Sequence, residues 1–156
     1  MYNIGLKKRD PKEGEPEKRI ILCLFVLDGL DTVPEMPGRR VEQEIVKMVS
    51  DHIVRRFEPV GGQIICKNSK ALVVLLPDSD LDHAAFLIEG FKIEIHRNGV
   101  VIMDECSRMK PGVKFNWSIS VALVEYKPRD DIDPILVSLR SETLTIARFS
   151  LEARRQ

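Results

Sequence analysis

A surplus of charge of either sign is the first thing this sequence lacks: 24 Lys and Arg face 24 Asp and Glu over 156 residues, a formal net charge of +0. Such a chain has no overall field to draw in a polyphosphate backbone, so a nucleic-acid partner is not expected. Long apolar runs are missing as well. The longest, Ile20 to Leu27, falls far short of the roughly 20 residues a membrane helix needs, and no membrane insertion is expected. Cysteine is sparse: Cys23, Cys66 and Cys106 are odd in number and widely spaced, which suits neither a disulfide framework nor a CxxC metal pair. Reduced thiols are expected, with Cys23 acting as a small buried hydrophobe. No basic segment followed by an apolar one opens the chain, and the expected location is the cytoplasm.

What is present fits one domain. At this length a chain buries roughly 70% of its extended surface, and the 44% hydrophobic content is ordinary for a globular protein. Residues 1–19 (MYNIGLKKRDPKEGEPEKR) combine Pro11, Pro16, two glycines and dense mixed charge, a composition that buries too little to offset ordering entropy. They read as a flexible charged arm, and 20–156 as the domain.

Ile20 to Leu27 (IILCLFVL) is apolar without alternation, the pattern of a central strand covered on both faces. After the Pro34, Pro37 and Gly38 loop, Val41, Ile45, Met48, Val49, His52, Ile53 and Phe57 fall on one helical face. Two short strands then flank Lys67-Asn68-Ser69-Lys70, a hairpin with Asn68-Ser69 at its tip and Asn68 suited to the first central position of a type I′ turn. Ser79 or Asp80 caps a second helix expected to reach about His96. Asn98-Gly99 reads as a turn, Val100 to Met103 as a short strand and Asp104 to Gly112 as a loop. Lys114 to Tyr126 is a long strand with Phe115, Trp117, Ile119, Val121 and Leu123 on one face and the small Ser118, Ser120 and Ala122 on the other. A last helix starts at Asp130–Pro134, its buried stripe expected to run through Ile135, Leu136, Leu139, Thr143, Ile146 and Ala147. Arg148, Arg154 and Arg155 read as its charged C-terminus. The whole is an α+β sandwich: a largely antiparallel sheet flanked by helices.

Several stretches, in order, resemble the GGDEF (diguanylate cyclase) family. Leu72-Val73-Val74-Leu75-Leu76-Pro77, followed by Ala84 and Ala85, resembles the strand and helix after the family's signature turn. Trp117-Ser118-Ile119-Ser120-Val121-Ala122 looks like its T-x-S-I-G-V-A strand. Asp130-Asp131-Ile132-Asp133 with Leu136 resembles the start of its last helix, and Leu144 with Ala147-Arg148 the A-L-Y-x-A-K ending. Asp28 stands where the family has the first aspartate of D-x-D-x-F-K. The resemblance spans residues 20–149 and implies a nucleotide-cyclase-like fold and a place in bacterial signalling.

The departures point away from cyclase chemistry. By the resemblance the five signature positions are Asn68, Ser69, Lys70, Ala71 and Leu72, none of them the family residue. Phosphoryl transfer of this kind relies on metal ions that bridge phosphate oxygens and neutralise developing charge. Lys70 inverts the charge at the metal-ligand position, and Ala71 supplies no ligand atom. The guanine-reading residues have no match, and Pro59-Val60-Gly61-Gly62 replaces the Arg-x-x-Asp feedback site.

Bland readings stand beside the remaining candidates. Asp28 with Asp31 is a sparse metal candidate or a solvated strand end. Lys67, Asn68, Ser69 and Lys70, joined by Arg39 and Arg40, are either an anion-binding patch built on a nest of backbone N–H groups or a solvated hairpin tip. His52 reads as a core histidine, and His83 and His96 as isolated surface residues. The expectation is a catalytically inactive regulatory or protein-interaction module with no cofactor, a protein partner and a homodimer among the arrangements open to it. A receptor for GTP or cyclic di-GMP is the alternative, and residual diguanylate cyclase activity the second alternative.

Overall fold

The apolar run becomes the middle strand of a five-stranded sheet. The computed structural model describes residues 19–68, 70–127 and 129–151, and among these β1 spans Ile20–Asp28, α1 Val41–Phe57, β2 Gln63–Lys67, β3 Ala71–Pro77, α2 Leu81–Met109, β4 Phe115–Tyr126, α3 Ile132–Arg140 and β5 Leu144–Leu151. The strand order is β2-β3-β1-β4-β5. All four pairings are antiparallel. Of the arm only Arg19 lies among the described residues; its carbonyl accepts from Ser79 N.

Both faces of β1 are covered, which is why its residues do not alternate with polar ones. Ile21, Cys23, Phe25 and Leu27 point into the core shared with α1 and α2. There the Phe25 ring meets Phe57 and Phe91 edge-on, centroids 5.7 and 5.3 Å apart. Ile20, Leu22, Leu24 and Val26 point the other way, into the cluster that Ile132, Leu136 and Leu139 of α3 complete. The long strand keeps the expected faces: Phe115, Trp117, Ile119, Val121 and Leu123 join the first cluster, and Ala122 lies under α3. Helix α1 buries Val41, Ile45, Val49, His52, Ile53 and Phe57 as its spacing predicts. Asp80 caps α2 by accepting from His83 N, and Asp131 caps α3 by accepting from Asp133 N.

Expectations fail in two stretches, each for an identifiable reason. Asn98-Gly99 is no turn, Val100–Met103 no strand and Asp104–Met109 no loop, because α2 continues through all of them. Its buried stripe runs on through Ile95, Gly99, Met103 and Cys106. Gly99 is there for packing: a Cβ on it would lie 2.2 Å from Cε1 of Phe149. The last helix stops at Arg140, and Thr143, Ile146 and Ala147 are not its stripe. From Leu144 the chain pairs with β4 instead, giving β4 a second partner and turning Ala147 and Phe149 inward. Arg148 is therefore a strand residue, the likeness of Leu144 and Ala147-Arg148 to a helix ending does not hold, and Arg154 and Arg155 lie outside the described residues.

The close approach at Gly99 gives a stability prediction. Gly99→Ala gains about 1 kcal/mol of helix propensity but forces a methyl into the Phe149 ring, an overpacking cost of about 1–3 kcal/mol. Urea unfolding should show a net loss in Gly99→Ala that largely disappears in Gly99→Ala/Phe149→Leu; equal stability of the single variant and the parent would refute the packing role.

Candidate functional site

The β2–β3 turn and the end of β1 are neighbours. The register sets Val26 opposite Ala71, and Leu27 N donates to the Lys70 carbonyl at 2.8 Å. Lys70 therefore stands one residue along β1 from Asp28, across a strand-to-strand step of about 4.8 Å. On its other side Asp28 pairs with Ser118 of β4. Asp28 and Lys70 are both exposed, as the first groups past the apolar stretch.

The chain leaves β1 by a turn only glycine can make comfortably. Gly29 has φ +84°, and a Cβ there would lie 2.2 Å from the Asn116 carbonyl oxygen. A short 3-10 segment, Leu30–Thr32, follows. It is fastened to β4 by the Thr32 hydroxyl, which lies 2.6 Å from the Gly29 carbonyl and 3.0 Å from that of Asn116 and accepts from Asn116 N at 3.3 Å. Leu30 is buried, while Asp31 is exposed on this segment. Among the described residues no three His, Cys, Asp or Glu side chains converge as a metal would need.

The hairpin turn differs from expectation. Asn68 is not at a left-handed position; among the described non-glycine residues only Asp78 has positive φ. Asn68 instead opens the turn, its N donating to the Ala71 carbonyl at 3.1 Å. Its side-chain Oδ1 accepts from Lys70 N and Ala71 N, both at 2.8 Å, the Asx arrangement that lets Asn initiate turns. Those two N–H groups, which an anion nest would present, are thus already occupied by an amide oxygen. Ser69 and the Lys67 side chain lie outside the described residues. Arg39 does not join a basic patch: its guanidinium donates to both oxygens of Glu44, at 2.6 and 2.8 Å, and to Glu105. These hydrogen bonds, first to Glu44 and then to Glu105, raise its pKa further above the usual arginine range.

Two polar groupings have no counterpart in the sequence reading. Buried His52 meets Glu94 Oε2 through Nδ1 at 3.2 Å and Asn98 through Nε2, while Arg56 donates to the other Glu94 oxygen. With Asn98 donating, Nδ1 carries the proton toward Glu94. The clue was there: His52 and Arg56, and Glu94 and Asn98, are each four apart, one helical turn on facing helices. His83 is not isolated, since Ser79 Oγ lies 2.7 Å from its Nδ1. No described residue hydrogen-bonds its Nε2, so the pair lacks the third group that orients a catalytic histidine. It locks the start of α2.

Comparison with solved structures matches this architecture. The GGDEF domain of DgcB from Caulobacter crescentus, in complex with c-di-GMP, superposes with a TM-score of 0.57 at 15% identity, over 80% of this chain and 69% of that one. The fold is GGDEF- and cyclase-like. The adenylyl cyclase CyaB from P. aeruginosa follows at a TM-score of 0.51 and 10% identity, covering 83% of this chain and 75% of that one. No family model matches the sequence, and no curated protein is significantly similar to it. At such identities the likeness carries the fold and leaves the chemistry to the residues of this chain. Among the described residues no helix is long and apolar enough to cross a membrane.

The thiol at the centre of β1 shows how dry the interior beneath this strand end is. Burial pushes the Cys23 thiol up to about 12, from an ordinary value near 8.5. A raised pKa stabilises the fold fully below the unfolded value and loses that contribution as pH climbs toward the folded one. Stability should therefore fall from about pH 8.5 upward, less steeply in Cys23→Ala. At pH 8 iodoacetamide should label Cys23 in urea and not in the native protein; rapid native labelling mapped by mass spectrometry would contradict this.

Proposed function

We propose that this chain is a regulatory or protein-interaction module in bacterial signalling that uses a GGDEF-like fold without diguanylate cyclase chemistry. The observation that carries the reading is the identity of the residues beside the end of β1. The resemblance calls for metal-site carboxylates at positions 70 and 71; this chain has Lys70, one residue along β1 from Asp28, and Ala71, opposite Val26. An ammonium group repels the divalent cations on which two-metal phosphoryl transfer depends, and a methyl group ligates nothing. The turn's own donors are turned inward onto Asn68, which supports a structural hairpin over a phosphate cradle.

The second reading, a receptor for a guanine nucleotide, draws on the c-di-GMP held by the similar GGDEF domain of DgcB. Here it must work without that metal set, through Lys70 and neighbouring groups. Calorimetric titration with GTP and with cyclic di-GMP, each with and without Mg²⁺, separates the readings. The expected result is no heat of binding from either nucleotide and no cyclic dinucleotide after prolonged incubation with GTP and Mg²⁺. Micromolar binding abolished by Lys70→Glu would establish the receptor, and turnover of GTP would overturn the inactive assignment.

A further inference from the structure

Helix α2 leaves a second apolar stripe uncovered. Its inner side packs on α1, β4 and β5, yet on the outer side Phe86 is 72% exposed, Ile93 62%, Val101 50% and Val100 39%. Phe86, Ile93 and Val100 are spaced by seven residues, so they drift only about 20° per step around the helix and form one seam about 21 Å long. The three apolar side chains stand two turns apart in one line, with Glu89 and Gly90, then His96 and Arg97, in the turns between them, on a helix whose inner face is already packed.

The charges beside the seam identify what fits it. Glu89 and Arg97, both exposed, lie four residues before and four after Ile93, on opposite flanks of the stripe. Neither is ion-paired with another described residue. A second copy of α2 laid antiparallel about a two-fold axis at Ile93 sets Ile93 against Ile93, Phe86 against Val100 and Glu89 against Arg97, twice over by symmetry. A parallel two-fold would stack Glu89 on Glu89 and Arg97 on Arg97 instead. The antiparallel register also sets Asp82 opposite Asp104 at each end of the seam, a like-charge contact that the parallel arrangement would not relieve, since it sets Asp82 on Asp82 and Asp104 on Asp104.

We infer that the chain self-associates as a symmetric antiparallel dimer through the Phe86–Ile93–Val100 face of α2, with Glu89 of each copy paired to Arg97 of the other. This rests on the interaction-module reading and names the partner as a second copy; nucleotide silence, which tests that reading, is measured separately and stands or falls on its own.

Sedimentation equilibrium of the full chain tests the inference. The parent should populate a dimer at micromolar concentration. Ile93→Glu, which sets two carboxylates face to face on the axis, should be monomeric to above about 100 µM, with its thermal melt showing that the exposed substitution leaves the fold intact. Glu89→Arg and Arg97→Glu should each raise the dimer dissociation constant more than about tenfold, and the double variant should restore it to within about threefold of the parent. A monomeric parent at 100 µM, a dimer indifferent to Ile93→Glu, or a double reversal no better than the singles would overturn the proposal.

Discussion

Everything in this fold hangs on the double burial of β1. A strand with apolar side chains on both faces must be hydrogen-bonded on both edges, because no water reaches its backbone to take the place of a missing partner. Ile20 to Leu27 meet that demand through β3 on one side and β4 on the other. The register of both neighbours is thereby set, since a one-residue slip would turn an entire side-chain row to the wrong face. That register carries the hairpin turn to Asp28 and fixes which residues share the strand ends.

The helices over the first face are held in place by more than apolar contact. Arg39 ties the segment before α1 to Glu105 on α2 as well as to Glu44 on α1 itself. Glu94 holds both His52 and Arg56 across the same helix pair. Arg39 and Arg56 are part-buried, and a charge-assisted hydrogen bond in that setting adds orientation that packing alone does not supply. The polar groups that look catalytic in composition, a histidine with a carboxylate and a serine with a histidine, are in this arrangement spent on fixing α1 against α2 and on starting α2.

The sequence showed the central strand, the first helix, the hairpin and the two faces of β4, because each is written in a local period or an unbroken apolar run. It misled where a tertiary partner overrides a local signal. Asn98-Gly99 has the composition of a turn, but the space that Gly99 leaves is filled by the Phe149 ring from a strand fifty residues away. Thr143 to Ala147 carry residues that suit a helix or a strand, and the free edge of β4 decides in favour of the strand. At the site, the resemblance marked Asp28 and the Asn68–Lys70 turn as separate candidates, and only the strand register shows that Lys70 stands one residue along from Asp28. The turning of Asn68 Oδ1 onto Lys70 N and Ala71 N was not legible, because a side chain closing on its own turn leaves no periodic trace.

The same register that makes the fold stable thus brings the Lys70 ammonium group to the strand end, one residue along from Asp28. The proposal requires that this strand end gather no divalent metal of its own. Titration of Mn²⁺ into the protein with GTP present, followed by the electron paramagnetic resonance signal of the free ion, addresses it most directly. Free Mn²⁺ should equal that of a GTP-only control, in the parent and in Asp28→Asn alike; stoichiometric Mn²⁺ uptake by the parent that Asp28→Asn abolishes would overturn the proposal.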